Sequence, residues 1–264
     1  MTIIVSIIIP AYNAEATLGE TLQSVAAQSF DAWECLIVDD KSTDDTADLA
    51  NQWCKRDPRF RLIKAPKNFG GPAGPRNLGI EAAQGAYLAF LDSDDIWHRD
   101  KLRLQLASMK EACAEFSATG RRNFTKKPNL DDVNTHMPQK WIGIDKMLRK
   151  NRIATSSVMV SRGLMDDFRF NEARDFHAVE DFDCWLRILT HGHQCLRLEA
   201  PLLAYRHVAG QISGNKIAMA RKFSHVLNNY RDHKGSSLGA KKMVYFCTYV
   251  WLSIWERVIW RLTD

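Results

Sequence analysis

The sequence predicts an α/β fold: a mostly parallel central sheet flanked by helices, with a C-terminal helical extension. Three observations predict it. Short β-branched and apolar runs at residues 3–9, 34–38, 60–64 and 86–91 alternate with segments of helical length and periodicity, such as Glu15 to Gln28 and Thr43 to Lys55, and that alternation is what βαβ units require. With 45% apolar and 25% charged residues among 264, the chain can bury a sizeable core, which excludes a disordered protein. After Gly210 the character changes to basic and aromatic-rich helical sequence. The expected organisation is one α/β domain at 1–213, with halves at 1–97 and 98–213, followed by an extension at 214–264.

Taken in order, "MTIIVSIIIPAYN" has no basic leader or small-residue cleavage site, and Pro10 cuts its apolar run short of a membrane span, so it is read as the first buried strand. Ser42 followed by Asp45 has the spacing of an N-cap with an acidic partner, which predicts a helix directly after "VDD" and leaves Asp39 and Asp40 at a strand's C-terminal end. A helix is expected from Pro75, a strand at 86–91 and another helix near His98. Residues 115–150, polar and weakly periodic with Pro128 and Pro138, are read as loops and short helices. "ATSSVMVSR" is a further strand. "EDFDCWLRILTHG" places Phe182, Trp185, Leu186 and Leu189 on one helical face and stops at Gly192, with acids at its positive end. "CLRLEAPLLAYRHV" is the last strand.

Charge and cysteine usage narrow the class. The formal charge of +5 is uneven, because residues 214–264 carry nine Lys/Arg against Asp232, Glu256 and Asp264, leaving 27 basic against 28 acidic residues in the rest. Such a basic tail suits an anionic membrane surface or a phosphorylated partner, and no nucleic-acid partner is expected. Six cysteines without a Cys-x-x-Cys pair argue against a zinc knuckle and a disulfide framework. The expected compartment is the cytoplasm, with peripheral contact on the inner face of the plasma membrane.

Ligand crevices of open parallel sheets form outside the carboxyl ends of the strands, where "PAYN", "DDKS" and "DSDD" fall. Asp92 and Asp94 form an Asp-x-Asp whose hard oxygens suit Mg²⁺ or Mn²⁺, with a diphosphate filling the remaining positions; helix capping is the plainer alternative. Asp39 and Asp40 can accept from a base or ribose, or serve a turn. "NFGGPAGPRNLG" lets backbone approach a ligand while Arg76 reaches phosphate or base, or is an ordinary turn before a helix. Glu180 and Asp181 offer a carboxylate able to take a proton from a hydroxyl, or cap a helix. Arg206 and His207 can reach phosphate or metal, although a lone histidine is more often a structural hydrogen-bonder.

Jointly, "SIIIPAYNAEATLGETLQSVAAQSFDAWECLIVDDKSTDDT", "GPRNLGI", "AYLAFLDSDDIW" and "EDFDCWLRI" resemble the family 2 glycosyltransferases of the A-type, Rossmann-like fold, over roughly residues 3 to 213. The resemblance implies that Pro10, Tyr12, Asn13, Asp39 and Asp40 hold the nucleotide with help from Arg76. Asp92 then meets ribose and metal, Asp94 coordinates Mn²⁺ or Mg²⁺, and His207 is a further metal candidate. It places the catalytic base in the pair Glu180 and Asp181, with Asp181 chosen. The implied chemistry is inverting: an acceptor hydroxyl displaces nucleoside diphosphate from the anomeric carbon in one step.

Two departures stand out. Lys41 replaces the usual glycine of the "DDGS" turn, and no Gln-x-x-Arg-Trp follows the acid pair, which argues against a processive synthase. The expected partners are a nucleotide-sugar donor, taken as a UDP-sugar, and a glycan or lipid-linked acceptor; a homo-oligomer is left open. Rival readings are a catalytically silent binding module and a sugar nucleotidyltransferase, which needs a phosphate-cradling loop that "PAYNAEAT" lacks. Finally, "KKMVYFCTYVWLSIWERVIWRL", 241–262, predicts a helix whose Trp251, Trp255 and Trp260, near Lys241, Lys242, Arg257 and Arg261, suit a membrane interface. The alternative is a helix packed on the catalytic domain or on a second subunit.

Overall fold

The computed structural model describes residues 2–125, 128, 130, 132–136, 138–207 and 216–263. Its first half alternates strand and helix: β1 (Val5–Ala11), α1 (Glu15–Ala26), β2 (Trp33–Asp39), α2 (Thr46–Arg56), β3 (Phe60–Lys64), α3 (Ala73–Ala82) and β4 (Tyr87–Phe90). β1 pairs in parallel with both β2 and β4, and β2 with β3. The chain therefore crosses to the other side of β1 when it enters β4, and a crevice opens at that switch point. Every residue of β1 and β2 is buried, the pattern of strands covered by helices on both faces.

The second half departs from a simple parallel sheet. It contains β5 (Ile96–Trp97), α4 (Lys101–Glu111), β6 (Phe116–Phe124), β7 (Gln139–Ile142), α5 (Ile144–Arg149), β8 (Met159–Ser161), α6 (Arg162–Asp167), α7 (Glu180–Thr190) and β9 (Cys195–Arg206). Strand order is β3-β2-β1-β4-β8-β6-β9-β5, with β7 also on β9. β8 runs antiparallel to β4 and β6, and β5 and β7 antiparallel to β9, while β6 and β9 are parallel. The sheet is thus parallel in its first half and mixed beyond.

Several expectations are corrected. β6 is a nine-residue strand where loops and short helices were expected. Its polar residues conceal it: Ser117 is fully buried because its hydroxyl donates to the Met159 carbonyl (3.1 Å) and accepts from the Gln105 amide (2.9 Å). Once paired, such groups no longer oppose burial. α2 begins at Thr46 rather than after Ser42, and its first amide is capped by Asp44 (3.0 Å). α3 starts at Ala73, ahead of Pro75, and α4 at Lys101, beyond His98. Only Met159–Ser161 of "ATSSVMVSR" is strand, preceded by a 3₁₀ turn at Thr155–Ser157.

Two apolar clusters cover the two faces of the sheet, one under α1, α2 and α4, the other under α3, α5, α6 and α7. α8 (Lys216–Asn229) and α9 (Lys241–Thr263) follow. Phe223, Val226 and Leu227 of α8 join the same buried cluster as Trp185 of α7, so the core runs across the expected boundary at residue 213. Phe182, Phe223 and Tyr249 form a continuous ring stack, with centroids 5.1 and 4.1 Å apart and planes within 14°. The opposite face of α9 exposes Val244, Trp251 and Trp255. α9 thus packs one face on the catalytic domain and leaves the other exposed. Among the described residues no helix is long and apolar enough to cross a membrane. The side chains of Glu256, Arg257, Trp260 and Arg261, and the run 208–213, lie outside the described residues.

Candidate active site

A cleft of about 720 Å³ opens at the carboxyl ends of β1, β2 and β4. Its walls are the Pro10–Ala14 turn, Asp40, the loop from Asn68 to Pro72, Arg76 on α3, Asp92 to Asp94, His177 and Tyr205. The three motifs picked out by sequence therefore converge. Tyr12 stands 52% exposed on the rim, an aromatic face open for stacking.

The floor is tied together by paired hydrogen bonds between the loops after β1 and β2. The Asn13 amide donates to the Ser42 hydroxyl (3.0 Å), while the Thr43 amide donates to the Asn13 side-chain oxygen (2.8 Å). Likewise the Glu15 amide donates to Asp44 (3.1 Å) and the Asp45 amide to Glu15 (3.0 Å). Ser42 is thus a cross-brace rather than the cap of α2. Asn13 and Lys41 have φ of 47° and 63°, the left-handed region that costs non-glycine residues about 1–2 kcal/mol. This explains physically why glycine suits position 41. Asp39 and Asp40 are both buried; Asp39 accepts from the Ser42 amide (3.2 Å), and Asp40 is the acid of this pair that lines the cleft. Asp40 accepts from the Phe69 amide (2.9 Å), and burial raises its carboxyl above its usual range against that hydrogen bond.

The glycine-rich loop is dictated by crowding. A Cβ on Gly71 would lie 2.4 Å from the His177 ring, and one on Gly74 would lie 2.1 Å from Phe69. Tight packing here carries α3 inward and delivers Arg76 to the centre, where it is 3% exposed. Its guanidinium donates to Asp92 (2.7 Å) and to Glu180 (2.8 Å). Arg76 lines the cleft in which it is expected to assist with the nucleotide, and it also bridges the Asp-x-Asp to the start of α7. Burial disfavours its charge, but Asp92 and Glu180 more than restore it, so it remains cationic.

The acid-rich loop has its own scaffold. Asp95 is fully buried and accepts from the Arg206 amide (2.9 Å), and burial with its neighbours Asp92 and Asp94 raises its carboxyl well above the normal range. The Arg206 guanidinium donates to the Asp94 carbonyl (2.7 Å) and to Glu20. Thr21 donates to the Ser93 and Asp95 carbonyls (3.0 and 2.9 Å). Arg206, expected near phosphate or metal, therefore positions the loop. His207 donates its amide to Phe124 (2.8 Å) and packs its ring on Tyr205, centroids 5.5 Å apart. Tyr205 itself lines the cleft. Sequence reading missed it and His177, because an aromatic at a strand end and a loop histidine carry no spacing signal.

At the start of α7, Asp181 accepts from the Phe182 amide (2.6 Å) and the Thr155 hydroxyl (2.9 Å). Burial, then the charge of Glu180, raises its carboxyl to about 6, with Arg76 opposing. Glu180 is 4% exposed, and one of its oxygens is buried without a partner among the described residues. Glu180 also borders a second cleft of about 390 Å³, shared with Asn171, Arg174 and His177 and continuous with the first along the Asn68–Pro72 loop.

Asp92 and Asp94 place hard oxygens on the cleft wall, where they could hold a cation. No group of three or more potential ligands occurs among the described residues. Two carboxylates are what Mg²⁺ commonly takes from a protein, with its other ligands from substrate phosphates and water.

Residues 6–166 match the model for "Glycosyl transferase family 2". The chain is 37% identical over 219 residues to a putative teichuronic acid biosynthesis glycosyltransferase, TuaG, of Bacillus subtilis, covering 83% of this chain and 85% of that protein. It is 34% identical over 227 residues to the Escherichia coli UDP-Glc:alpha-D-GlcNAc-diphosphoundecaprenol beta-1,3-glucosyltransferase WfaP, covering 86% of each. Among solved structures, the Pyrobaculum calidifontis mannosyltransferase PcManGT in complex with GDP-Man and Mn²⁺ shares the fold, with a TM-score of 0.69 at 16% identity over 93% of this chain and 70% of that one. With the convergent cleft, these likenesses place the chain in glycosyl transferase family 2, as an enzyme of the glycosyltransferase A-type fold.

Proposed function

We propose that the enzyme moves one sugar from a UDP-sugar to a hydroxyl of a lipid-linked glycan acceptor, with inversion, by a metal-assisted single displacement. The observation that carries this reading is the buried Arg76, which joins Asp92 on the donor side to Glu180 beside the acceptor-side cleft. Tyr12, Asn13 and Asp40 border the nucleotide's place, and Asp39 supports their turn. Asp94 and Asp92 would hold Mn²⁺ or Mg²⁺, with His207 as a further candidate ligand; the ion would offset charge developing on the departing diphosphate. The base is assigned within the pair Glu180 and Asp181: Glu180 borders the acceptor-side cleft, and Asp181 beside it, its carboxyl raised to about 6 by burial, would take the acceptor's proton. The lipid-linked acceptor follows from the likeness to WfaP, whose name specifies one.

The test is incubation with UDP-sugars and Mn²⁺, following UDP release and the anomeric configuration of the product. Slow donor hydrolysis with an inverted product supports the reading. Binding without turnover, or pyrophosphate formation from nucleoside triphosphate, would overturn it.

A peripheral membrane contact through 241–262 belongs to the same proposal. Val244, Trp251 and Trp255 form an exposed stripe on α9, with Trp251 and Trp255 stacked at 6.0 Å, and Lys241 and Lys242 open the helix. Such a face suits an anionic interface. Flotation with anionic vesicles at low salt, lost on Trp251→Glu, is the expected result; a concentration-dependent dimer without vesicle binding would assign the stripe to a second copy instead.

A further inference from the structure

The groove between α8 and α9 is separate from the donor cleft. It has a volume of about 670 Å³ and is lined by Ala220, Phe246, Tyr249 and Val250, with Arg221 and His225 along one side. Its α9 wall faces nearly opposite to the exposed stripe of Val244, Trp251 and Trp255, because residues 246, 249, 250 and 253 occupy the other side of a 100°-per-residue helix. One surface of α9 therefore meets solvent while the other closes an apolar channel. That volume lies within the range of small-molecule sites, about 300–1,000 Å³.

The groove is joined to the acceptor-side cleft by direct contacts. The His225 ring meets Phe176 edge to face, centroids 4.9 Å apart. Next to it, the Lys222 ammonium donates to the Arg174 and Asp175 carbonyls (3.5 and 3.3 Å). Arg174 lines the cleft that Glu180 borders. A path thus leads from the proposed catalytic acids, over a short turn carrying Arg174, to a groove with the Arg221 cation on one side and the apolar side chains of Phe246, Tyr249 and Val250 on the other. An apolar chain attached to a diphosphate has that distribution of chemistry, since guanidinium groups pair with phosphate oxygens while apolar surface leaves water.

We propose that the α8–α9 groove holds the isoprenoid chain of a polyprenyl-diphosphate-linked acceptor, with its diphosphate between Arg221 and Arg174 and its sugar in the cleft beside Glu180. This rests on the acceptor class proposed above and assigns that acceptor a place. The groove would then fix where the reactive hydroxyl lies, because the lipid anchors the sugar from behind. The ring stack from Tyr249 through Phe223 to Phe182 sets the groove at a fixed distance from Asp181, the residue preceding Phe182.

The test uses the full-length chain, saturated with UDP and Mg²⁺ so that the donor site is filled, titrated calorimetrically with farnesyl diphosphate, farnesol and inorganic diphosphate. Farnesyl diphosphate is expected to bind at least about tenfold more tightly than either fragment, as follows when one ligand uses both kinds of surface. Ala220→Trp, which fills the groove, should weaken farnesyl diphosphate about tenfold or more and leave UDP affinity unchanged. Arg221→Glu, at an exposed position, should weaken farnesyl diphosphate and leave farnesol unaffected. Ser253→Trp, on the facing wall, serves as a second groove-filling variant, with unfolding midpoints confirming that each variant is folded. Equal farnesyl diphosphate affinity in wild type and folded groove-filled variants, or inorganic diphosphate binding as tightly as the farnesyl compound, overturns the proposal. Loss of UDP binding by the wild type would instead overturn the donor reading, since groove binding is measured separately.

Discussion

Two acid-rich segments face each other across Arg76, and the protein treats them in opposite ways. At the end of β4, Asp92, Asp94 and Asp95 are crowded together; Asp95 is sealed in the interior, where burial, and then the other two acids, drive its carboxyl toward the neutral form. At the start of α7, Glu180 is ion-paired with Arg76, and it is the neighbouring Asp181 whose carboxyl moves up, to about 6. The first segment concentrates negative charge on a cleft wall, which favours a cation. The second leaves one carboxylate with a proton affinity near neutrality, which favours proton transfer. Similar residue types thus acquire different chemistry from burial and from the placement of one guanidinium.

The sharpest way to break this contrast is Asp94→Asn. Losing a ligand charge is expected to lower transfer by about a thousandfold or more, about 4 kcal/mol, and to remove the metal-dependent part of UDP binding. Equal metal-dependent affinity in variant and wild type would place the cation elsewhere. Arg76→Met attacks the bridge itself. It strands Glu180 without its buried partner, and chemical denaturation should show a loss of about 3 kcal/mol or more; a stability change below about 1 kcal/mol would mean that the two acids do not depend on Arg76.

Asp181→Asn sharpens the comparison from the other side, with turnover falling about a hundredfold while UDP binding persists. Wild-type turnover should fall as pH drops through about 6, because protonated Asp181 cannot act as a base, and the variant should lack that limb. The sign for stability is opposite to that of an ordinary ion-paired acid. A native carboxyl raised from 3.8 to about 6 stabilises the fold below pH 4 and loses that contribution as pH rises to about 6, so at pH 7.5 Asp181→Asn should unfold no earlier than wild type. If Glu180→Gln has the kinetic phenotype and Asp181→Asn stays active, the base is Glu180. The smallest effect concerns the entry to α7. Ala178 has φ of 69°, and Ala178→Gly should raise stability by about 1 kcal/mol; a decrease in the unfolding midpoint would show that the strain is absent or offset.

Much of the fold was legible because its signals are local. The buried strands Val5–Ala11 and Trp33–Asp39 are continuous apolar runs, and α7 shows its buried face at helical spacing. β6 escaped notice because Ser117 and Thr119 are buried polar residues, and their partners lie elsewhere in the chain or in a bulge that pattern does not reveal. In the site, "PAYN", "DDKS" and "DSDD" were readable as strand-end motifs. The roles of Arg76 and Arg206 were not, since their partners are up to 104 and 186 residues distant.

What the sequence determined by itself was the alternation of elements, the acids gathered at strand ends, and the shift to basic, aromatic helix after the last strand, because hydrophobic period, turn chemistry and charge are properties of neighbouring residues. Only the tertiary structure decided which acid of each pair faces the cleft, that one arginine joins the two acid segments, and that α9 turns one face inward and the other to solvent. Those outcomes depend on desolvation and on contacts between residues far apart in the chain, and neither is encoded in local spacing.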